Sequence, residues 1–154
     1  MKAPLALLLA FVAPLSLWAE NWPMWRGPRL DGSSEEKELP TRWSASENIL
    51  WRTELPGSGH ASPIVWGDKV FTVAADEDTQ ERLLICLNRQ DGGILWKQVV
   101  IKTSGERIHR LNSLASSTPA TDGERVFSTF LDGKQVVVAA YDFQGKQLWL
   151  KRPG

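Results

Sequence analysis

The chain contains an internal repeat, and this repeat limits the possible folds more than any other feature. The stretch "SPIVWGDKVF" (62–71) superposes on "TPATDGERVF" (118–127), 56 residues further along. The identical pairs include Pro63 with Pro119, Gly67 with Gly123, and Val70-Phe71 with Val126-Phe127. Trp96 and Trp149 follow the two stretches at similar distances. A repeat of about fifty residues is the length of one structural unit in several repeat architectures.

Each repeat unit reads as four short β-strands. Runs of about six residues rich in Val, Ile and aromatic residues alternate with turns such as Gly67-Asp68 and Asp91-Gly92-Gly93. This spacing is typical of antiparallel hairpins. An antiparallel four-stranded unit of about fifty residues is the signature of a β-propeller blade. The sequence therefore predicts an all-β fold of two blades, preceded by one further strand in "NILWRTEL" (48–55).

Tryptophan recurs at matched positions of the repeat. The chain has eight tryptophans but only five phenylalanines and one tyrosine. Trp51, Trp96 and Trp149 each follow a leucine in a predicted outer strand. A fully buried tryptophan contributes on the order of 2–3 kcal/mol, and its large flat ring can reach from an outer strand to the next blade. We therefore predict that these three residues dock one blade on the next, with ordinary core packing as the function-neutral interpretation.

Two blades do not close a propeller ring. Closure requires at least four blades, so residues 49–154 are predicted to be a partial propeller with an incomplete ring. The two outer faces of such a pair of blades are apolar, and we expect both of them to be uncovered.

The residues before the repeat divide into two segments. Residues 1–19 carry a lysine, Lys2, directly after Met1, continue through an apolar run from Leu5 to Val12 and end at Ala19. This is the layout of a secretory signal peptide, and the apolar run is short for a membrane span. We therefore predict cleavage near Ala19, a secreted or periplasmic location, and no integral membrane span after the signal is removed.

Residues 20–48 are rich in proline, glycine and charged side chains, with no sustained period of a strand or a helix. We predict an extended and largely irregular N-terminal segment. Its tryptophans, Trp22, Trp25 and Trp43, are expected to pack across a neighbouring sheet, because free exposure to water is unfavourable for them.

Charge and cysteine content exclude several classes of function. The formal net charge is zero, so no basic excess points to nucleic acid. Cys86 is the only cysteine, which makes a disulfide within the chain impossible, and its apolar run "RLLICLN" (82–88) predicts a buried structural thiol. His60 and His109 are far apart in the sequence and make no zinc motif with one cysteine. No metal and no cofactor are therefore predicted.

Candidate binding residues come from the predicted start of each inner strand. The innermost strand of a propeller blade lines a central channel, and ligands often bind at its mouth. The inner strands are predicted to begin in "GSGHASP" (57–63) and "LNSLASSTP" (111–119). The polar candidates in these stretches are His60, Ser62, Asn112, Ser116 and Ser117. The alternative interpretation is that these groups only satisfy the backbones of turns.

The tryptophan motif resembles the docking motif of the pyrroloquinoline-quinone-like (PQQ-like) β-propeller repeat family. That family includes quinoprotein dehydrogenases and the propeller lipoprotein of the outer-membrane barrel assembly machinery. Its motif reads alanine, any residue, aspartate, two residues, threonine-glycine, three residues, tryptophan. The copies here are Cys86, Asn88, Asp91-Gly92 and Trp96, and then Ala139, Asp142, Gly145 and Trp149 with one residue fewer before the glycine. The opening "NWPMWRGP" (21–28) also resembles the start of secreted bacterial proteins of this group.

The resemblance implies a fold more strongly than an activity. Quinone-dependent enzymes of the family use a vicinal cysteine pair, calcium ligands and a catalytic aspartate, and a chain with Cys86 alone cannot supply that pair. We therefore expect a non-enzymatic scaffold that binds a protein partner, with no catalytic residues. Two alternatives stay open: the N-terminal part of an oxidoreductase that uses the quinone with calcium, and a cell-surface carbohydrate- or polymer-binding module.

Overall fold

The computed structural model describes residues 19–37, 39–104 and 106–153, and the predicted signal peptide before Ala19 lies outside these residues. All regular structure in the described part is β. The first sheet, blade 1, contains β1 (Ile64–Trp66), β2 (Lys69–Asp76), β3 (Glu81–Asn88) and β4 (Ile94–Lys102). The second sheet, blade 2, contains β5 (Ala120–Thr121), β6 (Arg125–Asp132), β7 (Gln135–Asp142) and β8 (Gln147–Lys151).

Both sheets are antiparallel meanders in which each strand pairs with the next strand of the sequence. This confirms the predicted all-β fold of two four-stranded blades. The register aligns the two tryptophan motifs: Trp96 pairs with Cys86, and Trp149 pairs with Ala140. Ala140, rather than Ala139, is therefore the equivalent of Cys86. This difference matters because a shift of one residue moves a side chain to the opposite face of a sheet.

The structure differs from the prediction at residues 49–55, which form no strand. A strand requires a neighbouring backbone with which to exchange hydrogen bonds. This segment instead contacts blade 1 through side chains: the Trp51 indole Nε1 donates to the Arg89 carbonyl at 2.8 Å, and the Thr53 hydroxyl donates to the Gly92 carbonyl at 2.6 Å. The segment is therefore anchored without a backbone ladder.

The main core lies between the two blades. Alternate residues of β2 and β3 point toward blade 2 and form what we call the forward face of blade 1. They pack against the face of blade 2 that is turned toward blade 1, which we call its rear face; in each blade the forward and rear faces are the two opposite faces of the sheet. The buried residues of this core include Phe71, Val73, Cys86, Val126, Phe130, Val137 and Tyr141. Apolar surface on both sides is thereby removed from water, which stabilises the pair of blades.

The two outer faces differ from each other. The rear face of blade 1 is covered by residues 51–61, since Trp51 and Leu55 pack against a buried cluster of Val70, Ala74, Leu83, Ile85 and Leu87. The forward face of blade 2 is uncovered, and Leu131 and Val136 on it are 48% and 38% exposed. The expectation of two bare faces is therefore wrong for blade 1, because residues from before the first blade cover its rear face.

The N-terminal tryptophans do not behave alike. Trp22 is half-buried and its backbone pairs with Val65 of β1. Trp25 and Trp43 are 67% and 65% exposed, so the expectation that all three pack on a sheet is wrong for these two. Only Trp22 has a strand edge beside it with which its backbone can form hydrogen bonds.

Cys86 is a buried free thiol within blade 1. Burial raises the pKa of this thiol from its ordinary 9.0 to about 12. The folded state favours the neutral thiol, so its contribution to stability is complete below pH 9 and is lost as the pH rises toward 12. We expect Cys86 to resist iodoacetamide at about pH 8 in the folded chain and to react after unfolding in urea, as measured by intact mass. Rapid alkylation of the folded chain would contradict this expectation.

Candidate functional site

The predicted site residues lie in two segments that run side by side. We call residues 57–63 the first crossover and residues 112–119 the second crossover, because each leads into the inner strand of a blade. The backbone amides of His60 and Ala61 donate to the Ala115 carbonyl at 3.1 and 3.2 Å. The Ser62 amide donates to the Thr118 hydroxyl at 3.1 Å. These bonds hold the two crossovers together at one end of the blades, which we call the crossover end.

The side chains of the five candidates divide into two groups. Asn112, Ser116 and Ser117 line one cavity of about 130 Å³, together with apolar side chains of the forward face of blade 2. The lining of this cavity contains neither His60 nor Ser62. The backbone amide of exposed His60 also donates to the Ser113 hydroxyl of the neighbouring crossover at 3.0 Å. The structure therefore brings three candidates into one cavity and leaves the other two beside it.

A larger cavity of about 270 Å³ lies in blade 1, on its rear face rather than its forward face. It is formed between residues 51–63 and the rear face of blade 1, and its lining is mainly apolar. Gly57 and Gly59 approach the backbone of β2 closely there, so that a Cβ at Gly59 would lie 3.0 Å from the Val73 carbonyl oxygen. Sequence reasoning missed this cavity, although the two glycines in "GSGH" are a signal of close backbone approach.

A buried ion pair joins the loop between β4 and the second crossover to blade 1. The Arg82 Nη2 on β3 lies 2.5 Å from the Glu106 Oε2, and the two side chains are only 2% and 4% exposed. The Arg82 Nε and Glu106 Oε1 are buried without a hydrogen-bond partner. Sequence reasoning missed this pair because Arg82 lies in an otherwise apolar strand and Glu106 lies 24 residues later in a loop.

A second charged contact lies at the same end of the molecule. A hydrogen bond from Thr103 and one from Arg152 lower the pKa of Asp132. The Arg152 Nη1 lies 2.7 Å from the Asp132 carboxylate, and both side chains are partly exposed. Asp132 is therefore held ionised by neighbours that connect the end of β4 with the end of β6.

At the opposite end, the outer strand of blade 1 contacts the last turn of blade 2. The Trp96 indole Nε1 donates to the Phe143 carbonyl at 2.9 Å. Gly145 has a φ of +86°, and a Cβ on it would lie 2.9 Å from the Trp96 Cδ2. A glycine is therefore required here both for the turn and for the close approach of the ring. Trp51 lies against Gly92 of blade 1 in the same way.

Trp149 is in the equivalent position in blade 2. Its ring centroid lies 6.0 Å from that of Phe127, and the Trp96 and Phe71 ring centroids are also 6.0 Å apart. Trp96 is covered by the turn of the next blade, whereas Trp149 lies on the uncovered forward face of blade 2. The docking role that we assign to Trp149 stays a prediction.

Among residues 19–37, 39–104 and 106–153, no three His, Cys, Asp or Glu side chains cluster as metal ligands would. No helix within these ranges is long and apolar enough to cross a membrane. The crossover end presents hydroxyl and amide groups beside apolar side chains, a combination that can bind a polar segment of another molecule.

Comparison with known proteins gave a family-model match and matches to solved structures, and the two kinds of match agree with each other. A family model described as "Outer membrane protein assembly factor BamB" matches residues 34–98 and 80–154. Among solved structures, the chain is similar to BamB from Moraxella catarrhalis, with 22% identity and a TM-score of 0.50. That similarity covers 68% of this chain and 28% of the BamB chain, so the chain spans less than a third of this relative. No curated protein sequence matched.

The structural similarity supports the fold alone, and the family model supplies the relationship. The two matched ranges together extend from residue 34 to residue 154, which is well over half of the chain. They also contain both blades and all three of the tryptophans at Trp51, Trp96 and Trp149. The chain therefore belongs to the PQQ-like β-propeller repeat family.

Proposed function

We propose that this chain is part of a non-enzymatic propeller that acts as a protein-interaction scaffold in the cell envelope. The observation that carries the proposal is the match of residues 34–154 to the model described as an outer membrane protein assembly factor. The proposed location is the periplasm or the exterior, reached through cleavage of residues 1–19 near Ala19. Lys2 and the apolar run after it support the export step.

The crossover end is the proposed contact surface for the partner. It combines the exposed polar residues Asn112, Ser116 and Ser117 with the exposed apolar residues Ile108 and Leu111. Protein interfaces are typically built from such a mixture of apolar side chains and hydrogen-bonding groups. The hydrogen bonds between the two crossovers hold this surface in place before a partner binds, which lowers the entropic cost of binding.

The proposed scaffold role can be tested by site-specific cross-linking in cells. A photoreactive amino acid at Ser117 is expected to give a discrete cross-linked product with an envelope protein. The same amino acid at Gln144, which is exposed in the last turn at the opposite end of blade 2, is the matched control and is expected to give no such product. Excess unmodified chain should suppress the product from Ser117, because specific sites are saturable.

Two outcomes would contradict the proposal. Equal cross-linking from Ser117 and Gln144 would show that the crossover end is not a preferred contact surface. The second outcome uses the longest available form of the protein, incubated with pyrroloquinoline quinone and calcium. The appearance of a bound-quinone absorbance band there would favour the oxidoreductase alternative.

A further inference from the structure

The N-terminal segment is hydrogen-bonded to the free edge of β1. We call residues 21–27 the strap. The Trp22 amide donates to the Val65 carbonyl at 2.8 Å, and the Val65 amide donates to the Trp22 carbonyl at 3.0 Å. The Asn21 Oδ1 accepts a hydrogen bond of 2.7 Å from the Gly67 amide. The strap therefore satisfies backbone groups of β1 and of the turn that follows it.

The strap also reaches the other blade. The Pro23 carbonyl accepts a hydrogen bond of 2.9 Å from the Thr121 amide of β5. The Arg89 Nη1 donates to the Ala19 carbonyl at 3.4 Å, which attaches the start of the segment to the last turn of blade 1. One short segment is therefore bonded to the inner strands of both blades.

These contacts place the strap on the channel side of the two blades. β1 and β5 are the first strands of their sheets, and only one edge of each is occupied by a neighbouring strand. In a propeller the other edge of the first strand faces the central channel. The strap occupies that edge near the turns at Gly67 and Gly123, whereas the crossovers enter the inner strands from the opposite end.

We infer that the strap closes the channel-side edges of β1 and β5 at the end of these turns, so that a partner can reach these two inner strands only from the crossover end. An unoccupied strand edge is a template for pairing with another chain. The strap fills that template with a segment of the same chain, and it prevents a partner from adding a strand there. The restriction of a partner to the crossover end rests on the proposed function, but the closure itself does not.

The strap can be displaced by one substitution. Gly27 is buried with a φ of +71°, and a Cβ on it would lie 2.7 Å from the Trp22 Cζ3. Gly27→Val is therefore expected to push the Trp22 ring away from its position. Gly32→Ala is the matched control, since Gly32 has a φ of +81° in the same segment but nothing within 4 Å of an added Cβ.

Two measurements on the intact chain report the closure. Hydrogen exchange of the Val65 and Thr121 amides is expected to accelerate roughly tenfold or more in Gly27→Val and to stay unchanged in Gly32→Ala. Relaxation of the same two amides by a soluble gadolinium chelate should rise in Gly27→Val only, because that bulky probe then enters the uncovered end. Unchanged exchange and relaxation in Gly27→Val would overturn the inference.

A milder variant keeps the test decisive if Gly27→Val unfolds the chain. Asn21→Ala removes the acceptor of the Gly67 amide and is expected to accelerate exchange of Gly67 and Val65 several-fold while the β2–β3 ladder stays protected. Protection of both amides equal to that of the parent chain would overturn the closure. Cross-linking from Ser117 is measured separately, so loss of the partner contact and loss of the closure are distinguishable.

Discussion

Replacement of Trp96 with alanine is expected to lower the free energy of unfolding by about 3 kcal/mol or more. The substitution removes the ring that lies between Phe71 and the turn at Gly145, and it deletes the hydrogen bond to the Phe143 carbonyl. The neighbouring backbone is fixed by two sheets and cannot collapse fully into the resulting cavity, so the cavity adds to the lost transfer free energy. Urea unfolding monitored by circular dichroism measures the change.

Trp25→Ala is the control for this prediction. Trp25 is 67% exposed, so its removal is expected to change the free energy of unfolding by no more than about 0.5 kcal/mol. Similar losses for the two variants would show that Trp96 has no special role at the contact between the blades.

Arg82→Ala is expected to destabilise the chain by about 3–5 kcal/mol. The substitution leaves the Glu106 carboxylate without its cation at a position where the side chain is 4% exposed. An isolated buried charge is far more costly than a buried pair. The double variant Arg82→Met/Glu106→Leu is expected to recover most of the loss, because two apolar side chains of similar size leave no charge unpaired. Thermal and urea unfolding of the three chains measure these changes.

A surface ion pair provides the comparison. Arg125 and Asp122 are 2.7 Å apart, but their side chains are 47% and 36% exposed, and Arg125→Ala is expected to cost at most about 1 kcal/mol. If the double variant at Arg82 and Glu106 were as unstable as Arg82→Ala alone, the cost would come from packing of the arginine stem and not from an unpaired carboxylate.

The parts of the fold that the sequence predicts are those that repeat locally. Strand alternation and the turns at Gly67 and Gly123 are features of adjacent residues, and they identified both four-stranded blades. The spacing of Trp96 from its own turn was likewise enough to predict an outer strand. These features depend on backbone periodicity over a few residues, which the amino-acid pattern records directly.

The features that sequence reasoning missed depend on contacts between distant residues. The cover over blade 1 requires Trp51 to reach the carbonyl of Arg89, 38 residues later. The pairing of Trp22 with Val65 and of Arg82 with Glu106 likewise joins residues that no local pattern connects. In the candidate site, the sequence placed all five residues in the two crossovers but could not separate the three that share a cavity from His60 and Ser62. Side-chain direction at the end of a strand is decided by such distant neighbours.

The unequal covering of the two blades is consistent with folding that proceeds from the N-terminus toward the C-terminus. Trp51 and Leu55, which precede blade 1 in the sequence, pack on its rear face, and blade 2 packs on its forward face. If folding follows the order of synthesis from the N-terminus, each blade can therefore pack on residues that precede it in the sequence. Among the described residues, the exposed apolar face around Trp149 and Leu131 belongs to the later of the two blades. In that order of folding, blade 1 templates blade 2, and the apolar area open to wrong association stays close to that of one blade face.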